Sequence, residues 1–392
     1  MPDEPNRHLV WVLCLIATTG LVGSFLYLPA LPLLADEFGI GEAGAQTTLA
    51  VYMLGTCLGF AVYGHMADSH GHRRVFWMAG AVFVAASLAA AVAPDLASLN
   101  AARFVQGAGS VAGIITARSS IRTLVPAHRA PQSMAVLTAV TALAPAASPL
   151  FGALVLELAG WRATFLVSAG IGLAAVLAGL AVLPRGVRVA TEDRPRHVLR
   201  TLAASATFRG GVMIAACCNA TFVVLMAGSP FVFIGIFRLT EMTYSALLAS
   251  MLVAFAVAAA VSGHMVARFG ARRVMSLALV PVVISAAALA AAGLAGPELW
   301  PLYILLFLLF GSMGLVVPTG HTIMLGPFSD MAGAAVGVAM LINTVFGALA
   351  LVAYGLVATG SLAGFALAIA AFALCVPLGW AVLPRPLAER GA

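Results

Sequence analysis

The stretch Gly64-His65-Met66-Ala67-Asp68-Ser69-His70-Gly71-His72-Arg73-Arg74-Val75 returns 199 residues later as Gly263-His264-Met265-Val266-Ala267-Arg268-Phe269-Gly270-Ala271-Arg272-Arg273-Val274. Seven of the twelve positions are identical. Each copy lies between two long apolar runs. A glycine-bounded basic turn repeated at half the chain length marks two copies of one membrane unit. In membranes such duplication places a site where the halves meet, which points to movement of a solute across the bilayer.

The composition agrees. Of the 392 residues, 62% are hydrophobic and 9% charged. A soluble domain carries about 25% charged residues, so most of this chain belongs in lipid. A bilayer-crossing helix needs about 20 apolar residues. Twelve such runs are expected, at 9–34, 45–64, 75–93, 99–121, 132–156, 162–183, 210–236, 243–265, 274–295, 299–324, 334–357 and 361–383. Strands are not expected, because the runs lack the alternation of a transmembrane barrel. The reading is an all-α membrane protein with twelve transmembrane helices in two pseudo-symmetric six-helix bundles, 1–183 and 210–392. The polar segment 184–209 joins them.

All twenty basic residues are Arg. Most fall in the connections of one side, which the positive-inside rule makes the cytoplasm, with both termini there. Topology therefore accounts for the net charge of +6, and no nucleic-acid partner is expected. The expected partners are a small-molecule substrate, protons and membrane lipid, around a chain that acts as a monomer. The five cysteines lie in apolar runs without metal-ligand spacing and read as small buried hydrophobes. No metal-binding helix motif, phosphate-binding loop or paired carboxylate is present, so neither an enzyme, a metal nor a cofactor is expected.

The repeated turn is read as a conformational latch. Asp68 sits beside Arg73 and Arg74, with Arg272 and Arg273 in the second copy. Ala267 replaces the acid there, so that latch is incomplete. The competing reading is plain anchoring of arginines among anionic headgroups. The fourth span contains Arg103-Phe104-Val105-Gln106-Gly107-Ala108-Gly109. A charge inside a bilayer costs about 2.5–3.5 kcal/mol on insertion scales, so Arg103 is expected to have a task. It would hold an anionic group or support proton transfer, unless it snorkels to water. Its replacement by Ala is expected to abolish transport and leave folding intact.

Pro145 and Pro149 remove backbone donors from the fifth span and are expected to kink it. Tyr27-Leu28-Pro29-Ala30-Leu31-Pro32 in the first span and Gly228-Ser229-Pro230-Phe231-Val232-Phe233 in the seventh are breaks at matching positions. Paired breaks of this kind point to a substrate site. Tyr27, Phe25, Tyr52, Arg103, Asn219, Phe231, His321 and Asn343 are the candidate substrate-binding residues.

These motifs together resemble the Major Facilitator Superfamily. Gly64–Val75 is similar to its signature between helices 2 and 3, with His72 where a basic residue is usual. Arg103–Gly109 is similar to its helix 4 motif, and Pro145–Gly152 to the helix 5 motif associated with exporters. Tyr27–Pro32, Met66–Ser69, Ser229–Val232 and Met331–Gly333 are similar to the bicyclomycin/chloramphenicol-resistance (Bcr/CflA-type) drug:H+ antiporters. The resemblance implies a secondary exporter of the bacterial inner membrane, working by alternating access. It also implies a proton-carrying acid two positions before Tyr27, where this chain has Phe25. No Asp or Glu lies in the middle of a span. His321 is the histidine set inside an apolar run, and its ordinary pKa of about 6.5 suits proton loading. Asp36 and Glu37, near an outer helix end, are the other proton-coupling candidates. An uncoupled facilitator or importer, and a non-transporting receptor on a transporter fold, are the alternatives.

Overall fold

The computed structural model describes residues 4–126, 128–184, 195–357 and 360–384, and among them there is no strand. The repeated turn has the same backbone in both copies. Gly71 has φ 83 and ψ 146, and Gly270 has φ 81 and ψ 146. Side chains rarely adopt positive φ, so the retained glycine is a steric requirement of the turn. In each copy the next helix begins at once, with Val75 N–H donating to Gly71 O and Val274 N–H to Gly270 O, both at 3.2 Å.

The first expected span is built from α1 (Glu4–Phe25), a 3-10 turn (Leu28–Ala30) and α2 (Leu31–Phe38), ending at Gly39 with φ 62. Next come α3 (Gly41–His70), α4 (His72–Ala91), α5 (Leu96–Leu124) and α6 (Ala130–Val182). Asp95 caps α5, accepting from Ser98 N–H at 2.8 Å, which holds its carboxyl below the usual carboxylate range. The second half contains α7 (Pro195–Ala204), α8 (Ala206–Pro230), a π-helical turn (Phe231–Ile236), α9 (Glu241–Phe269), α10 (Ala271–Ala295), α11 (Leu299–Leu325), α12 (Ala332–Val357) and α13 (Leu362–Val382). Among the described residues ten segments are long and apolar enough to cross a membrane. α6 contains two of the expected spans, parted where Gly160 leaves helical geometry at φ 78. α5 completes the twelve; Asn100, Arg103 and Gln106 lower its apolarity.

The chain divides into two compact units, Met1–Thr191 with Phe233–Ala249, and Glu192–Val232 with Ser250–Ala392. In the first, α4 packs on α5 and α6 while α1 packs on α5 and α6. In the second, α10 packs on α11 and α13 while α8 packs on α11 and α13. The internal pairing thus repeats.

The two predicted breaks are real and differ in tightness. At Pro29 the chain tightens, with Ala30 N–H reaching Tyr27 O at 2.9 Å. After Pro230 it loosens into the π turn. Each proline lacks the N–H that a continuous helix needs, so the backbone re-pairs locally. Pro145 and Pro149, where a kink is expected, both lie inside α6. Backbone angles stay helical through both prolines, and Gly160 is the point of departure. Ser148 Oγ donates to the Ala144 carbonyl at 2.6 Å in that stretch.

Candidate functional site

Three of the eight substrate-site candidates meet in the first unit: Tyr27, Tyr52 and Arg103. What brings them together is close helix contact. A methyl group on Gly107 would lie 2.1 Å from Tyr52 O, and one on Gly55 2.0 Å from Phe104 O. Glycine at both positions lets α3 and α5 touch backbone to backbone. Arg103 then projects into the bundle and is 0% exposed.

Its guanidinium is enclosed by neutral groups. Nη1 donates to Gly23 O at 2.7 Å and to Gln106 Oε1 at 2.6 Å. Nε reaches Thr48 O at 3.4 Å. The guanidinium carbon lies 4.2 Å from the Tyr27 ring centroid, 4.3 Å from that of Tyr52 and 5.7 Å from that of Phe165. Nη2 has no hydrogen-bond acceptor among the described residues. Aromatic faces attract a cation most strongly where water is excluded.

A second ring of bonds fixes the cage. Gln106 Nε2 donates to Ser87 Oγ at 2.7 Å, and Ser87 Oγ to Phe83 O at 2.7 Å. The Tyr27 and Thr48 hydroxyls are 3.0 Å apart, and Tyr52 OH donates to Gly20 O at 2.7 Å. Snorkelling of Arg103 to water is therefore excluded. Arg103→Ala is expected to lower the stability of the bundle. The truncation empties a cage and strands the Gly23 carbonyl and the Gln106 oxygen, both buried.

The remaining candidates lie elsewhere. In the second unit Asn219 Nδ2 donates to the Asn343 carbonyl at 2.8 Å, tying α8 to α12. Both asparagines are half-buried, and Asn343 Oδ1 has no described donor. His321 is half-buried in α11, and Phe231 half-buried at the start of the π turn. Phe25 is half-buried at the end of α1. Asp36 and Glu37 are exposed near the end of α2. Glu37 accepts from Trp161 Nε1 at 2.5 Å and from Arg162 Nη1 at 2.7 Å. Both donors stand just past the Gly160 break.

Of the latch set, the Asp68 side chain lies outside the described residues. Arg73 Nη2 donates to the Leu180 carbonyl at 2.7 Å. Arg272 Nη2 donates to the Pro384 carbonyl. Arg74 and Arg273 are exposed.

Sequence reasoning missed Phe165, Ser87 and Gly23 as parts of the cage. Gln106 was visible only as a motif letter. A polar residue one turn along from a membrane arginine was the available signal for it. Nothing local marks Gly23 or Phe165, whose roles depend on which helices touch.

The comparisons agree with this architecture. The Major Facilitator Superfamily profile matches residues 13–351. The chain is 25% identical over 341 residues to the uncharacterized MFS-type transporter YdgK of Bacillus subtilis, covering 83% of each. It is 28% identical over 177 residues to the multidrug resistance protein MdtL of Escherichia coli, 45% of each chain. With the multidrug resistance protein Stp of Mycobacterium tuberculosis it shares 31% identity over 144 residues, 36% of this chain and 27% of the relative. Among solved structures, a bacterial homologue of the lysosomal transporter Spinster superposes with a TM-score of 0.82 at 13% identity, over 97% of both chains. The xylose transporter XylE of E. coli gives 0.75 at 12%, over 96% of this chain and 98% of that one. Those identities speak for the fold alone. With the profile spanning most of the chain, twelve spans and multi-pass apolar character, the protein belongs to the Major Facilitator Superfamily and is a membrane transporter, not an enzyme.

Proposed function

We propose that the chain is a secondary exporter of small organic molecules, with neutral, zwitterionic or anionic substrates favoured over cations. It works by alternating access between the halves 1–183 and 210–392, joined by the linker 184–209. It sits in the bacterial inner membrane with both termini in the cytoplasm. Protons drive it, and His321 is the group that loads and releases them, Glu37 being engaged by Trp161 and Arg162.

The observation that carries this reading is the surroundings of Arg103. A guanidinium buried to 0% exposure is held by a carbonyl, an amide oxygen and two aromatic faces, all neutral. The positive charge of the first bundle is thus left standing, and it disfavours a cationic solute nearby. Export is supported by the likeness to MdtL and Stp, both named multidrug resistance proteins.

The test is flux in proteoliposomes under an imposed pH gradient, with neutral, anionic and permanently monocationic compounds of similar size. Gradient-dependent counterflow of the first two classes is expected. A strong preference for monocations overturns the substrate reading. Flux unchanged by collapse of the gradient identifies an uncoupled facilitator, and tight binding without counterflow a receptor.

A further inference from the structure

Arg73 and Arg272 occupy the same place in the two copies of the repeated turn, and the structure gives them the same task. Arg73, the second residue of α4, donates to Leu180 O near the C-terminus of α6 at 2.7 Å. Arg272, at the start of α10, donates to Pro384 O, two residues past the end of α13. Its guanidinium also lies 5.5 Å from the Trp380 ring centroid in α13. In each half, then, the arginine of the turn between the second and third spans grips the carbonyl end of the sixth. That end carries unpaired C=O groups and the negative pole of the helix dipole, which a cation satisfies.

We infer that Arg73 and Arg272 are positioning residues that brace each bundle internally. Each clamps the last helix of its own half to the turn. The two ends of the half's helical sequence then move together, and the segment following the sixth span departs from a held point. This inference rests on the alternating-access reading, because a brace matters only if each half moves as a body. It assigns the arginines backbone-carbonyl partners, in place of the Asp68 partner of the expected latch. The contacts join α4 to α6 and α10 to the chain after α13, each pair inside one unit. The two halves make related contacts at the end of the sixth span, Arg73 on Leu180 O inside the helix terminus and Arg272 on Pro384 O just beyond it.

Spin-label distances in the full chain, reconstituted in lipid nanodiscs with native cysteines replaced, test this. One label pair replaces the exposed Trp77 and Ala181, and another the exposed Leu277 and Val382. Arg73→Ala is expected to widen the distance distribution of the first pair about twofold and leave the second narrow; Arg272→Ala does the reverse. Arg73→Lys, which retains a cationic donor, restores most of the narrow distribution and supplies a folded comparison. In flux assays Arg73→Ala lowers the maximal rate about tenfold with KM within about twofold. Both label pairs staying narrow in both Ala variants overturns the brace, whatever the flux assay shows. A failure of the exporter reading leaves the distance result standing.

Discussion

The guanidinium carbon of Arg103 lies 4.2 Å from the centre of the Tyr27 ring, and the Tyr27 hydroxyl is in turn 3.0 Å from Thr48 Oγ1. The ring face and the ring's polar tip therefore do separate work. Tyr27→Phe keeps the face and loses one hydrogen bond, costing about 1 kcal/mol with flux retained. Arg103→Ala removes both the cation and the contents of the cage. It is expected to destabilise the bundle by about 3 kcal/mol and abolish flux. Arg103→Lys keeps the charge without the planar fork that serves Gly23 and Gln106 together, so it too is expected to fail. Thermal unfolding in detergent and proteoliposome flux, measured on the same preparations, separate the effects.

Charge selection is open to reversal at a single position. Phe25 stands two residues before Tyr27, where the resembled antiporters carry an acid. Phe25→Asp introduces a carboxylate into a bundle whose buried cation has only neutral partners. Export of permanently monocationic compounds is expected to rise relative to anionic ones. An unchanged cation-to-anion flux ratio counts against the assignment of selectivity to this cage.

Proton coupling divides His321 from Glu37. His321→Asn is expected to flatten the pH dependence of flux between about 5.5 and 7.5, the window of an ordinary imidazole. Glu37→Gln leaves that profile in place. It weakens an ion pair whose side chains are 44% and 41% exposed, and such pairs contribute about 1 kcal/mol or less. A flattened profile in Glu37→Gln instead would move the proton carrier to the outer end of α2.

Two glycines in α6 form a controlled comparison. A methyl group on Gly152 would lie 1.8 Å from Leu26 O, so Gly152→Ala forces apart the first and fifth spans. It is expected to cost about 1–3 kcal/mol and to depress flux. Gly170 faces open space, and Gly170→Ala is expected to be neutral or to stabilise the helix by up to about 1 kcal/mol. Unfolding midpoints of the two variants read the difference directly.

Much of the architecture was legible because lipid imposes strict local rules. Runs of about 20 apolar residues must be helices there, so the twelve spans follow from composition. Repetition of a glycine-bounded turn, identical at seven of twelve positions, announced the duplication. The breaks at Pro29 and Pro230 were also readable, since proline acts through its own missing N–H. Their opposite sense, a 3-10 turn against a π turn, was not. That choice depends on which backbone partner each freed carbonyl finds in the folded bundle. α6 runs as helix through Pro145 and Pro149 and leaves helical geometry at Gly160, whose positive φ parts the fifth and sixth spans.

By itself, then, the order of residues determined helix number, the two-fold repeat, the sidedness of the arginines and the absence of a carboxylate from mid-span. These depend on local hydrophobicity and on residue type. Only the tertiary structure decided that Arg103 is enclosed by Tyr27, Tyr52 and Phe165, and that Arg73 and Arg272 hold the carbonyl ends of distant helices. Those partners are about 50 to 110 positions away along the chain and carry no local mark. Their roles come from helix–helix contact, which small residues at the interfaces permit.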